Sequence, residues 1–213
     1  KETKDATETA LEMIACYESA LKKTASCLMP VRCYEDIKEH QRMGKMSAVL
    51  TLEEGGVLQG KLQNLQRFYD LGVRMMTLTW NYENELGAPN LLWDHTGMPR
   101  WEKRNEKGLT GFGVTAVEEM ERLGITVDVS HLSDGGFWDV AAHTKNPFVA
   151  SHSNASSLCN VSRNLTDSMI RLLGERGGVM GINFCEDFLT EAAYRDEESI
   201  LEAIVAHIQH AVR

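Results

Sequence analysis

The sequence is short of several things, and each shortage closes a class of function. Cationic side chains are in deficit, with 22 Lys plus Arg against 31 Asp plus Glu and a formal net charge of −9. That balance argues against a protein that tracks nucleic-acid phosphates or lies on an anionic membrane surface. No apolar run approaches the roughly 18 residues that span a bilayer, which excludes a transmembrane helix. Behind the opening Lys1-Glu2-Thr3-Lys4 stands no apolar signal region, so nothing here directs export. Cysteine is sparse and odd in number: Cys16, Cys27, Cys33, Cys159 and Cys185, with no C-x-x-C pair. The expectation is reduced thiols in a cytoplasm rather than a disulfide framework or a zinc knuckle. The Asn-x-Ser/Thr triplets at Asn154, Asn160 and Asn164 are then incidental. No linker rich in Pro or Ser, no repeat of fixed period and no low-complexity segment divides the chain.

What is present is one repeated grammar. Short apolar runs alternate with amphipathic stretches of helical period. The runs Cys27–Cys33, Met46–Leu52, Val73–Trp80, Ile125–Val129, Phe148–Ser151 and Val179–Phe184 predict strands. Their near-continuous apolarity fits parallel strands covered on both faces. The first contains Pro30, which cannot donate to a ladder. Helices are expected at Asp5–Lys23, Tyr34–Gly44, Lys61–Leu71, Gly111–Leu123, Ser133–Ala142, Thr166–Glu175 and Glu197–Val212. Alternation of this kind means parallel strands joined by right-handed crossovers, in either an open doubly wound sheet or a barrel. No G-x-G-x-x-G and no P-loop follows any strand, which weakens the nucleotide-binding version. The long irregular stretch Asn81–Leu109 is expected to be a lid or substrate wall.

In such folds chemistry collects where strands end. Glu53-Glu54-Gly55-Gly56 follow the second run, Ser130-His131 the fourth and His152 the fifth. One carboxylate and two imidazoles suit zinc, which takes nitrogen and oxygen donors and keeps a position for water in catalytic sites. On chemistry alone, a metal centre and a pair of hydrogen-bonded structural histidines fit these residues equally well. His40, His95, His143, His207 and His210 lie in helical or loop surroundings and read as solvated or structural. Arg163, in the polar loop Ala155–Asn164, either grips a substrate carboxylate with its guanidinium fork or pairs with a neighbouring loop or helix end. Asp128, inside an apolar strand, either faces the barrel interior or orients a histidine.

Several motifs in order resemble one family. They are Gly108-Leu109-Thr110-Gly111-Phe112-Gly113, Leu123 to His131, Ser151-His152-Ser153-Asn154-Ala155, Arg163-Asn164-Leu165-Thr166-Asp167, Gly178–Phe184 and Gly72 to Asn81. From about Tyr34 onward the chain is similar to the zinc-dependent renal (membrane) dipeptidases, bacterial branch. The resemblance implies a (β/α)8 TIM-like barrel of the metallo-dependent hydrolase type. It also implies two Zn2+ per complete site and hydrolysis of dipeptides through a metal-bridged hydroxide. It maps Glu54, directly before Gly55-Gly56, onto the bridging carboxylate, and His131 and His152 onto the histidines of one metal. Arg163 maps onto the arginine that binds the substrate carboxylate, and Trp80 and Asn154 join it as substrate-binding candidates. Trp80 stands where mammalian members have a histidine, as bacterial relatives often do.

Two family features have no counterpart. No His-x-Asp precedes Glu54, and no Asp-bearing strand follows the final helix, so no catalytic residue is assigned and the family's aspartate is expected beyond Arg213. Residues 1–213 are therefore expected to form a single partial barrel domain, strands two to seven, with strands one and eight missing. The segment alone is expected to be weak or inactive without flanks that close the barrel. The expected partner is a dipeptide, with no nucleic acid, no membrane and a cytoplasmic location. Family members are often dimeric, although nothing in this chain marks an interface. The alternatives are another barrel metallohydrolase, such as an amidohydrolase or lactonase, and a non-catalytic binding relative. The absence of a Lys at any strand end disfavours the first.

Overall fold

The computed structural model describes residues 5–190 and 196–212. Six parallel strands form one sheet: β1 (Leu28–Val31), β2 (Met46–Glu53), β3 (Val73–Thr77), β6 (Thr126–Asp128), β7 (Val149–Ala150) and β8 (Val179–Met180), lying in that order. Between β3 and β6 runs a separate antiparallel pair, β4 (Leu92–Trp93) and β5 (Pro99–Arg100). The helices are α1 (Ala6–Lys23), α2 (Tyr34–Arg42), α3 (Leu62–Asp70), α4 (Gly111–Leu123), α5 (Asp134–His143), α6 (Asp167–Glu175), α7 (Glu186–Leu189) and α8 (Glu197–Ala211). No helix among the described residues is long and apolar enough to cross a membrane. The architecture is a partial (β/α) barrel, and spatial order follows chain order as it does around a barrel wall.

Every expected strand and long helix is present, for reasons visible locally. Thr110, Ser133 and Thr166 cap α4, α5 and α6 by accepting from the backbone N–H of Gly113, Gly136 and Met169. Gly124 ends α4 at φ 81°, a conformation that a residue with a Cβ enters only under strain. Pro30 is accommodated because β1 is an edge strand that pairs with β2 alone. The core lies between the sheet and its helices. Leu52, Val73, Met76, Val127 and Ala150 meet Leu65 and Phe68 of α3, Val117 and Met120 of α4, Phe137 and Val140 of α5, and Leu173 of α6. Burying each large side chain of this kind contributes roughly 1.5–3 kcal/mol.

The opposite face of the sheet carries the polar groups. Along β2, Leu52 is buried in the core while Val49, Thr51 and Glu53 are exposed, as the period-two alternation of a strand requires. Register places Glu53 beside Thr77, Thr77 beside Asp128 and Asp128 beside Val149, one lateral row across four strands. A register shift between Leu50 and Thr51 re-aims the last turn of β2 toward that row. The Asn81–Leu109 stretch is not wholly irregular, because the β4–β5 pair stiffens its middle.

Candidate metal centre

Three strand ends converge. His131 follows β6, His152 follows β7 and Glu53 ends β2, and their ligand atoms lie within 4.8 Å of one another. Glu53 Oε1 is 3.6 Å from His131 Nε2 and 3.5 Å from His152 Nε2, and the two Nε2 atoms are 3.0 Å apart. His131 reaches this position with φ at 67°, a left-handed backbone uncommon outside glycine and typical of functional sites. Its carbonyl is held by Asn90 N at 2.7 Å and by Thr79 Oγ1 at 3.3 Å.

The neighbours fix each ring's tautomer. Asp128 is fully buried and accepts from Thr77 Oγ1, Ser130 N, Ser151 N and Ser151 Oγ. Ser151 gives its only hydroxyl proton to Asp128, so at 2.7 Å its Oγ accepts from His152 Nδ1. His131 Nδ1 donates to Asn81 Oδ1 at 3.2 Å. Both Nε2 atoms therefore carry lone pairs, and they face each other with a carboxylate oxygen alongside. Burial, reinforced by the Arg163 charge and by His152, lowers His131 to about 2. Burial and Arg163 also lower His152, against the opposing pull of Asp128 and Glu53. Burial alone would raise Asp128, but its hydrogen bonds from Ser151, Thr77 and Ser130 outweigh it and hold the carboxyl below its usual range.

Two neutral imidazole acceptors and a carboxylate converging on one point fit a cation. A tetrahedral zinc with nitrogen ligands at about 2.0–2.1 Å sets two such nitrogens about 3.3 Å apart, close to the spacing here.

Of the residues singled out in the sequence, His131 and His152 converge here with Glu53 beside them, while Glu54 points into its own loop. Alternation along β2 sends Glu53 to the polar face, and the strand then breaks at Glu54, whose φ is 111°. Glu54 turns back on its own loop, accepting from Gly56 N at 2.7 Å, from Trp80 N at 2.8 Å and from Asn84 Nδ2. Gly55 permits the break, since a Cβ there would lie 2.7 Å from the Leu78 carbonyl oxygen. Asn154 is fully buried, with Nδ2 donating to the carbonyls of Asn183 and Phe188 and Oδ1 accepting from Asn183 N, so its side chain ties this loop to the segment after β8 and to α7. The same burial closes its glycosylation triplet and that of Asn164.

Arg163 is 1% exposed and lies against the Phe188 ring at 5.8 Å. Its Nη1 donates to Ser153 Oγ at 3.0 Å, while Nε and Nη2 have no hydrogen-bond partner among the described residues. Burial lowers it to about 10, with Asp128, Glu53 and Cys185 opposing the fall, and it remains a cation at neutral pH. Trp80 stands across the histidine pair, its ring 6.5 Å from that of His131. Asp128 orients His152 through Ser151, an intermediary that strand-end reading did not anticipate. Of the remaining histidines, His40 and His207 are buried and hydrogen-bonded to Ser47 Oγ and to Ala155 N with Leu189 O.

A protein of Klebsiella pneumoniae, known as the uncharacterized protein in the pqqA 5′ region, is 34% identical over 201 residues. The match covers 94% of this chain and 70% of that protein. An uncharacterized dipeptidase of Schizosaccharomyces pombe is 31% identical over 206 residues, covering 95% of this chain and 47% of its own length. The crystal structure of a metallopeptidase from Rhodobacter sphaeroides superposes with a TM-score of 0.82 at 29% identity, over 93% of this chain and 55% of that one. The chain thus spans about half to two thirds of the length of these relatives. The model of the membrane dipeptidase family, peptidase family M19, matches residues 1–213, and the chain belongs to that family.

Proposed function

We propose that this chain carries half of the active centre of a zinc metallodipeptidase, with Glu53, His131 and His152 holding one metal and Arg163 gripping the substrate's C-terminal carboxylate. The observation that carries the reading is the pairing of two unmet demands. Two imidazole lone pairs and a carboxylate converge on one point, and among the described residues the Nε–Nη2 edge of a buried guanidinium nearby has no hydrogen-bond partner. That edge is the fork that takes a carboxylate bidentately.

Zinc, when bound, supplies an activated water and polarises the scissile carbonyl. The residues do the rest. Asp128 and Ser151 keep the proton of His152 on Nδ1, leaving Nε2 a ligand. Asn81 does the same for His131. Arg163 fixes one end of the substrate at a constant distance from the histidines, and its burial keeps water from competing for that contact. The family's second metal takes ligands that this chain does not contain, so the segment alone is expected to bind one zinc and to hydrolyse dipeptides weakly or not at all. The Rhodobacter relative was crystallised with a phosphinate mimic of L-Ala-D-Ala, which makes dipeptides with L- and D-residues at the C-terminal position the first substrates to try.

The test is zinc stoichiometry by equilibrium dialysis, together with hydrolysis of a dipeptide panel by the full-length protein. Lactones and cyclic amides serve as controls. One zinc per chain, lost in His131→Ala and in His152→Ala, with hydrolysis confined to dipeptides is the expected result. Zinc retained in both variants, or turnover of lactones in preference, would overturn it.

A further inference from the structure

Three aromatic rings lead out of the metal centre. Trp80, beside His131, meets Tyr82 edge to face at 6.3 Å, and Tyr82 stacks on Trp93 at 5.4 Å with the ring planes 6° apart. Rings packed only to hold a loop together bury themselves, yet these remain 45%, 58% and 41% exposed. They are also held still. Trp93 lies on β4, whose turn is tied by Asp94 Oδ1 accepting from Thr96 N and Met98 N, and Trp93 Nε1 donates to Asn81 O at 2.9 Å. Asn81 therefore braces two things at once, His131 through its side chain and the aromatic strip through its carbonyl.

Trp80 follows β3 and Arg163 lies in the loop beyond β7, with the ends of β6 and β7 that carry His131 and His152 between them. A dipeptide held by its carboxylate at Arg163, with its peptide bond over the histidines, must send its N-terminal residue toward the rings. We propose that Trp80, Tyr82 and Trp93 form a subsite for a bulky apolar or aromatic side chain on the substrate's N-terminal residue. Fixed, half-exposed aromatic faces next to a polar centre are a binding surface for such a group, which gains by leaving water and by stacking. The proposal rests on the dipeptidase reading for its orientation and goes beyond it in assigning the specificity.

The experiment compares Phe-Ala, Leu-Ala, Ala-Ala and Asp-Ala with the zinc-loaded protein, by calorimetric titration and by hydrolysis. Phe-Ala should bind, and where turnover occurs be cleaved, about tenfold better than Ala-Ala. Tyr82→Ala should erase most of that ratio, and Tyr82→Phe should keep it. Trp93→Leu, which retains apolar bulk in the hairpin, should lower it by an intermediate factor. An unchanged ratio in Tyr82→Ala overturns the subsite while leaving dipeptide hydrolysis intact. Tighter binding of Phe-Ala that depends on Tyr82 but is followed by no cleavage in the full-length protein supports the subsite and sinks the hydrolase reading. Equal binding of all four dipeptides, or binding of none, overturns the subsite.

Discussion

The two sides of the histidine pair are built in opposite ways. On the Arg163 side, Ser153, Asn154, Ser162, Arg163 and Asn164 are all buried, and the loop is bound from outside before any ligand arrives. Arg104 pairs with Asp134 and donates to Asn164 O at 2.9 Å, Trp101 O accepts from Ser162 N at 2.6 Å, and Trp101 packs edge-on against Phe188, which lies under Arg163. On the Trp80 side the rings stand half in water and rest on two backbone anchors. A preorganised, desolvated cation suits a group that every substrate shares, because binding then costs little ordering. An open aromatic strip suits a group that varies. On the proposed reading, the difference separates affinity from selectivity.

Arg163 offers the sharpest way to break that separation. Removing a charged partner from a buried carboxylate contact costs about 2–5 kcal/mol, so Arg163→Met should weaken dipeptide binding by about 30-fold or more. The ligand-free protein should respond with the opposite sign. Two guanidinium nitrogens are buried there without partners among the described residues, and an apolar replacement of similar length should raise the unfolding free energy by about 1–2 kcal/mol. Calorimetric titration and denaturant unfolding of the same variant measure both. A variant that binds dipeptides normally, or that loses stability as well, would show that Arg163 is a structural member of its loop.

Adjacent carboxylates give the next test, because Glu53 faces the histidines while Glu54 braces the aromatic side through Trp80 N and Asn84. Glu53→Gln should lower zinc affinity by at least about tenfold with little loss of stability, since the side chain is largely exposed. Glu54→Gln should leave zinc affinity near the original value and destabilise the fold by about 1–3 kcal/mol, because one of its oxygens becomes a donor facing donors. Dialysis and unfolding curves for the pair decide it, and exchanged phenotypes would return the ligand role to Glu54. Ser151→Ala comes next in size, with an expected loss of about tenfold in zinc affinity as His152 loses the acceptor that fixes its tautomer. Its selectivity between Phe-Ala and Ala-Ala should not move.

Much of this was legible in the residues, and the failures have physical causes. The helices α1 to α6 and α8 declared themselves through apolar stripes and polar caps, and the six sheet strands through apolar runs. The convergence of His131 and His152 was legible because the C-terminal ends of neighbouring parallel strands come together whatever the loops do. Counting alternation from Leu50 and Leu52, both facing the helices, sets residue 53 on the far side, whereas the direction of Glu54, beyond the strand break, left no periodic sign. The hydrogen bonds of Asn154 were not legible, since its partners Asn183 and Phe188 come some thirty residues later. The β4–β5 pair escaped for a different reason. Two-residue strands carry no periodicity, and what marks them is the turn chemistry of Asp94, Thr96 and Gly97.

The smallest expected effect concerns the buried side from beneath. His207 of α8 accepts from Ala155 N at Nδ1 and donates to Leu189 O from Nε2, both at 3.0 Å, so it ties α8 to the loop that carries Arg163. Burial lowers its pKa below the ordinary 6.5, the bond to Leu189 opposes the shift, and the charge of His210 adds to it. The fold thus holds the neutral ring, whereas the unfolded chain takes up a proton near pH 6.5. Stability is complete above that pH and falls as the pH drops from 6.5 toward the lowered folded value. Protonation at Nδ1 would set an N–H against the Ala155 N–H, a lost buried hydrogen bond of about 1 kcal/mol. His131 and His152 titrate in the same sense, so the informative quantity is the difference between wild type and His207→Gln, whose amide can accept and donate in the same two directions without titrating. Unfolding curves from pH 8 to pH 5 should fall less steeply for the variant. The protection factor of the Ala155 amide in wild type should fall on acidification while those on the Trp80–Trp93 side hold. Equal slopes in the two proteins would assign the acid sensitivity to groups other than His207, and a parallel loss of protection on both sides would show that the two sides open together.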